Sequence, residues 1–234
     1  MNVQRLVGTS WLIHDGQRGI VVDAARKGRI EAFKKLLGPL NLQIPLLLLT
    51  HTHYDHAGSA EALRSYMSAK VIVGAAEADC LKQGSTPVPK GTYPISRLIS
   101  NAGHNLVPKQ TEHYDAVTQD VIAVDAVRSL SEFGFEASVL PLGAHTRGSI
   151  GLLMGDYVFT GDTVIGLGSS LYPPFADYPE QVCAVWETIL DTQAAFICPG
   201  HGPMLPRERL EKQYRARFGK AAMSEAAKIH DEIQ

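Results

Sequence analysis

Cysteine is scarce in this chain. The 234 residues hold Cys80, Cys183 and Cys198, an odd number, scattered and in no Cys-x-x-Cys pair. Such a set argues against a disulfide framework and reads as incidental thiols in a reducing compartment. A dominant charge is also missing: 22 Lys and Arg against 24 Asp and Glu leave a formal net charge of -2. Nucleic-acid binders usually carry a basic surface, so no nucleic-acid partner is expected. No apolar run in the sequence approaches the ~20 residues of a membrane span, so no membrane partner is expected either. The opening Met1-Asn-Val-Gln-Arg-Leu-Val-Gly8 lacks the apolar core of a signal peptide, and a cytoplasmic location is the expectation. The rest of the composition, 45% apolar and 20% charged, is that of a globular protein with enough chain for one large α/β domain.

One stretch stands out. Leu46-Leu-Leu-Leu-Thr50-His51-Thr52-His53-Tyr54-Asp55-His56-Ala57-Gly58 runs from apolar residues straight into three His and one Asp within six positions. Pro45 to Leu49 is short and wholly apolar, which reads as a buried strand. Ser59 to Met67, with Leu63 and Met67 on one face, reads as an amphipathic helix. The cluster therefore lies on a strand-to-helix loop at the carboxyl end of a strand, where open α/β folds place ligands. His51 and His53 alternate by two, so an extended tip points both imidazoles one way. Asp55 and His56 follow in the turn. Imidazole plus carboxylate without thiolate suits Zn, Fe or Mn.

The pattern His51-x-His53-x-Asp55-His56 resembles the signature of the metallo-β-lactamase-fold hydrolases, in particular their glyoxalase-II-like and lactonase-like binuclear members. Four further motifs follow the same family order: Ile20-Val21-Val22-Asp23, Ala144-His145-Thr146-Arg147-Gly148, Phe159-Thr160-Gly161-Asp162-Thr163 and Pro199-Gly200-His201-Gly202-Pro203. One departure is Ala25, where the family often has Gly two residues after the early Asp. The resemblance implies an α/β fold, a four-layer αββα metallo-β-lactamase sandwich, with 1–234 as a single domain. Spacing alone supports only a generic α/β domain.

Along the chain, Ser10 to His14 and Gly19 to Val22 flank the turn signal Asp15-Gly16, with His14 read as a surface residue. Gly28 to Leu37 is a helix stopped by Gly38-Pro39, Val71 to Val73 a strand, and Ala75 to Lys82 a helix ended by Gly84. From about 83 to 119, repeated Pro and Gly break any period, and an insertion packed over or beside the metal site is expected. Its His104, Lys109, His113 and Tyr114 are substrate-contact candidates. Strands return at Val121 to Val124 and Glu136 to Leu140. Leu152 to Met154 and Tyr157 to Thr160 form a hairpin around Gly155-Asp156. In the loop from Ile165 to Asp177, Tyr172 and Phe175 are candidates to line a pocket, with the Tyr172 hydroxyl offered to a substrate oxygen. A helix to about Leu190 and a strand from Ala195 to Cys198 lead to His201. A basic C-terminal helix covers about 206–230, its Leu210, Tyr214 and Phe218 facing the body or a partner.

What the resemblance implies for the site is specific. His51, His53 and His145 go to a first metal, and Asp55, His56 and His201 to a second. Asp162 bridges both. Asp23 serves behind them, bonding amides of the loop and fixing His tautomers. Two Zn2+ are the default, with Fe or Mn possible. The implied activity is a binuclear metal-dependent hydrolase in which a metal-bridging hydroxide, oriented by Asp55, cleaves a small carbonyl ester, lactone or thioester. A mononuclear iron persulfide dioxygenase is the alternative, and a non-catalytic metal-dependent binding or sensing protein the second. The short tail after His201 argues against glutathione specificity. The expected partner is a small-molecule substrate, with a homodimer possible.

Overall fold

A computed structural model describes residues 1–98 and 113–232, with side chains described through residue 219. Two six-stranded sheets form its centre. The first contains β1 (Asn2–Arg5), β2 (Trp11–His14), β3 (Arg18–Val22), β4 (Gln43–Leu48), β5 (Lys70–Gly74) and β6 (Val121–Val124), in chain order. Its first three strands are antiparallel neighbours, while β3, β4, β5 and β6 run parallel. The second contains β7 (Arg128–Ser129), β8 (Ala137–Pro141), β9 (Ile150–Met154), β10 (Tyr157–Gly161), β11 (Phe196–Pro199) and β12 (Leu205–Pro206), again in neighbour order. There only β10 and β11 pair in parallel.

The period of two along β4 and just beyond it explains the layers. Leu46 and Leu48 enter the core between the sheets, with Trp11, Ile13, Ile20 and Ile72 facing Val139, Leu152 and Phe159. Leu47 and Leu49 enter the opposite core, against Phe33, Leu37, Leu63 and Leu81. These belong to α1 (Ile30–Leu37), α3 (Ala60–Met67) and α4 (Ala78–Gln83). A strand buried on both faces must be apolar throughout, which is the run seen in the sequence. On the outer face of the second sheet, Val158 and Ile197 meet Val182, Trp186 and Ile189 of α5 (Val182–Asp191) and Leu210 of α6 (Arg207–Glu232). The order is helix, sheet, sheet, helix.

Three local differences from the sequence reading stand out. The loop after β4 coils at once into a one-turn helix, α2 (Tyr54–Ala57), so Asp55 and His56 are helical. The helix expected over Ala75 to Lys82 begins as a 3-10 turn, Ala75–Glu77, before α4. The short edge strands β7 and β12 carry too few residues to show a period.

The topology collects one edge. The carboxyl ends of β3, β4 and β5 lie together, and those of β8, β10 and β11 lie together in the other sheet. A hydrogen bond from Ile150 N–H to the Thr50 carbonyl, 2.8 Å, ties the two groups of loops. The described part of the 83–119 segment packs on the loop after β10. Thr92 N–H donates to Pro174, Ala176 N–H to Lys90, and Gly91 bridges Phe175.

Candidate metal centre

Seven side chains converge at that edge. After β4 come His51, His53, Asp55 and His56; after β8, His145; after β10, Asp162; after β11, His201. They fall into three overlapping groups: His51, His53 and His145; His51, His56 and Asp162; Asp55, His56 and His201. Within each, one nitrogen or oxygen per residue lies within 4.8 Å of the others. His53 Nδ1 is 3.0 Å from His145 Nε2, and His56 Nε2 is 3.3 Å from Asp162 Oδ1. His201 Nε2 lies 3.3 Å from Asp55 Oδ2 and 3.4 Å from Asp162 Oδ2.

The far side of the rings is bonded so that lone pairs face inward. Asp23 Oδ1 accepts the Thr50 amide at 2.8 Å, and its Oδ2 lies 2.8 Å from His56 Nδ1. The Thr50 hydroxyl donates to Asp23 and sits 3.1 Å from His51 Nδ1. The Phe175 carbonyl, an acceptor only, takes the Nδ1 proton of His145 at 2.8 Å. Gly200 completes the packing: a Cβ there would stand 2.1 Å from Asp162 Oδ1.

Inside the cluster, His51 Nε2, His53 Nε2, His56 Nε2 and Asp162 Oδ1 are buried without a hydrogen-bond partner. Buried polar atoms are normally satisfied, so four orphans in one place call for a missing partner. An imidazole-carboxylate set without thiolate fits a divalent zinc, iron or manganese ion. The electrostatics differ from ring to ring. Burial, reinforced by its neighbouring imidazoles, holds His51 well below its ordinary pKa and His53 down at about 3. Both rings are therefore neutral, as ligands must be. Burial opposes the charges of Asp162 and His56, but their mutual attraction prevails, keeping Asp162 ionised and raising His56. Burial likewise opposes ionisation of Asp55, yet the His201 hydrogen bond holds it at about 2.

The profile of the Metallo-beta-lactamase superfamily matches residues 3–201. The chain belongs to that superfamily.

Relatives and solved structures agree. A hydroxyacylglutathione hydrolase of Albidiferax ferrireducens is 25% identical over 197 residues, covering 82% of this chain and 60% of the relative. The hydroxyacylglutathione hydrolase GloC of Haemophilus influenzae is 25% identical, covering 80% and 82%. A probable polyketide biosynthesis zinc-dependent hydrolase, BaeB, of Bacillus velezensis is 22% identical, covering 69% and 57%. The chain thus spans about 60% of the length of the first curated relatives it matches. Among structures, the BLEG-1 B3 metallo-beta-lactamase superposes with a TM-score of 0.64 at 19% identity, covering 86% of this chain and 89% of that one. TTHA1623 in a di-iron-bound form gives 0.59 at 21%, covering 89% and 91%.

The substrate candidates of this superfamily member fare differently. Tyr172 is buried, and its hydroxyl is engaged within the fold. That hydroxyl donates to the Pro179 carbonyl at 3.2 Å, and the ring packs against Tyr93, Trp186 and Phe218 under the Arg217 guanidinium. Phe175 acts on the site through its backbone carbonyl. His113 is exposed, its backbone bridged to Ser85. Tyr114 is buried, with its hydroxyl 3.0 Å from that of Thr86. His104 and Lys109 lie outside the described residues. Sequence reasoning missed Arg5, whose guanidinium donates to the carbonyls of Gly200 and Gly202 beside His201. It also missed Trp11, whose indole N–H donates to Pro199 at 2.9 Å. Neither carried a local signal.

Proposed function

We propose that the chain is a binuclear metal-dependent hydrolase of a small carbonyl ester, lactone or thioester. The observation that carries this reading is the set of orphaned, inward-facing donor atoms on His51, His53, His56 and Asp162. His51, His53 and His145 would hold one metal, Asp55, His56 and His201 a second, and Asp162 would be shared. Zn2+ is the default, and the same donors accept Fe or Mn. Bound there, the metals supply an activated water near neutral pH and a Lewis acid for the carbonyl oxygen.

The chain's own residues do the rest. Asp55, held at about 2, is ionised at neutral pH and accepts a hydrogen bond from the attacking water. Its position beside His201 lets it pass that proton toward the leaving atom. Asp23 and the Phe175 carbonyl keep the rings of His56 and His145 aimed inward. No side-chain nucleophile is required: burial pushes the Cys198 thiol up to about 12, leaving it unreactive.

The thioester option draws support from the hydroxyacylglutathione hydrolases among the relatives. A cytoplasmic setting fits Cys80, Cys183 and Cys198, which form no disulfide among the described residues. Among the described residues, no helix is long and apolar enough to cross a membrane. Elemental analysis of protein purified without added metal or chelator is the test, followed by an ester, lactone and thioester panel. About two metals per chain and turnover of one class are expected. About one Fe with oxygen uptake would replace this reading with the iron dioxygenase, and no metal after reconstitution would end both.

A further inference from the structure

Behind the candidate ligands lies a buried carboxylate that the reading above leaves unused. Glu77, in the 3-10 turn after β5, is 5% exposed. Its Oε2 accepts the Thr52 amide at 3.0 Å and also the Thr52 hydroxyl. Thr52 is the residue between His51 and His53. In an extended tip adjacent side chains point to opposite sides, so anchoring Thr52 backward aims both imidazoles forward.

The anchor is complete. The Thr86 hydroxyl donates to the Thr52 carbonyl at 2.7 Å and lies 2.9 Å from its Oγ1. Thus the amide, carbonyl and hydroxyl of Thr52 are all engaged on the side away from the cluster. Glu77 also touches the loop that brings His145. A Cβ on Gly148 would stand 2.5 Å from Glu77 Cγ and 2.9 Å from its backbone nitrogen. The stem of Glu77 is therefore the floor on which that loop rests. One side chain contacts both segments that supply His51, His53 and His145.

We propose that Glu77 is the positioning residue for this three-histidine group, preorganising one metal subsite and not the other. The Asp55, His56 and His201 group has different supports, namely Asp23 behind His56 and Arg5 beneath the His201 loop. Glu77 is not itself a ligand, since its carboxylate is engaged by Thr52. The inference rests on the metal-centre reading. Its energetic basis is general: groups that orient metal ligands typically change affinity ~10–100-fold when removed.

The test is a Zn2+ titration against a chromophoric chelator on the full chain, comparing wild type, Glu77→Ala, Glu77→Gln and Thr52→Val. Wild type is expected to take two equivalents. Glu77→Ala should weaken one of them ~10–100-fold and leave the other within about threefold. Glu77→Gln keeps an acceptor for the Thr52 amide and should recover most of that loss. Thr52→Val should weaken the same single equivalent, and carries the test if Glu77→Ala does not fold. Two equivalents in Glu77→Ala with wild-type affinities would overturn the proposal alone. Equal weakening of both would assign Glu77 a general structural role and overturn it too. A wild type that binds no Zn2+ would overturn it together with the metal-centre reading.

Discussion

Asp23 Oδ2 lies 2.8 Å from His56 Nδ1, and the same carboxylate takes the Thr50 amide and hydroxyl. One buried acid therefore orients His56 directly and His51 through Thr50. Asp23→Asn keeps the size and one acceptor oxygen but puts an NH2 where the His56 N–H needs an acceptor. Metal affinity is expected to fall ~10–100-fold, with far-UV circular dichroism unchanged. Chelator competition reads the first and the spectrum the second; an unchanged affinity would remove Asp23 from the site.

Two residues later the backbone is left-handed at a non-glycine. Ala25 has φ +52, a conformation that costs an L-residue ~1–2 kcal/mol. The family's common Gly at this point is thus explained, and this chain carries the strain instead. Ala25→Gly should stabilise the fold, less the ~0.4–1 kcal/mol that Gly adds to the unfolded chain's entropy. The net gain of up to about 1 kcal/mol corresponds to a Tm rise of ~2–4 °C for a chain this long. A fall in Tm would show that Ala25 packs well enough to repay its backbone.

These cases mark what was legible in the sequence. The run Leu46 to Leu49 and the His-rich tip were readable because strand burial and ligand spacing are local patterns. Asp23 was readable only through the family resemblance, which places an early Asp after an apolar strand. Glu77 was not: it and Asp79 lie on the same turn of chain, and only tertiary contact makes one buried and the other exposed. Arg5 lies on an edge strand with an alternating, half-exposed pattern, and its partners are nearly 200 residues away. The packing of Tyr172 was not legible for the converse reason. Aromatics in Pro-rich loops look like pocket walls until the helix that covers them, here α6 with Phe218 and Arg217, is in place.

Arg5 makes its own prediction. Its fork reaches the carbonyls of Gly8, Gly200 and Gly202, and its guanidinium stacks 4.6 Å from the Trp11 ring. Lys keeps the charge but has neither the planar fork nor the stacking face. Arg5→Lys should cost about 2 kcal/mol by urea denaturation, the scale of one hydrogen bond to a charged group. Wild-type stability in Arg5→Lys would mean that the loop holds itself.

The metal-free protein should respond to pH through His201. Burial works against its charged form, but bonds to Asp162 and Asp55 outweigh that and raise the pKa from 6.5 to about 9. The folded chain thus holds this proton more tightly than the unfolded chain. The resulting stabilisation is full below about pH 6.5 and is lost as pH rises through about 9. A bound metal needs the neutral ring, so the loaded protein lacks this loss. The Tm difference between loaded and chelator-stripped protein should widen steadily from pH 6.5 to 9. A gap that narrows over that range would contradict the His201 assignment.

Gly200 tests the packing of the cluster without replacing any candidate ligand. A methyl group there would stand 2.1 Å from Asp162 Oδ1 and 2.8 Å from His56 Cε1, with the Gly161 backbone at 3.0 Å closing the other side. Nothing rigid can yield, so the Asp162 carboxylate must swing away from His56. Overpacking of this kind costs ~1–3 kcal/mol. The larger effect should be on the site, because Asp162 is the residue proposed above to be shared between two metals. Gly200→Ala is expected to lose metal at chelator concentrations that wild type withstands while still unfolding cooperatively. If it binds metal like wild type, the loop can move enough to absorb the methyl group, and the close fit around Asp162 is not needed for binding.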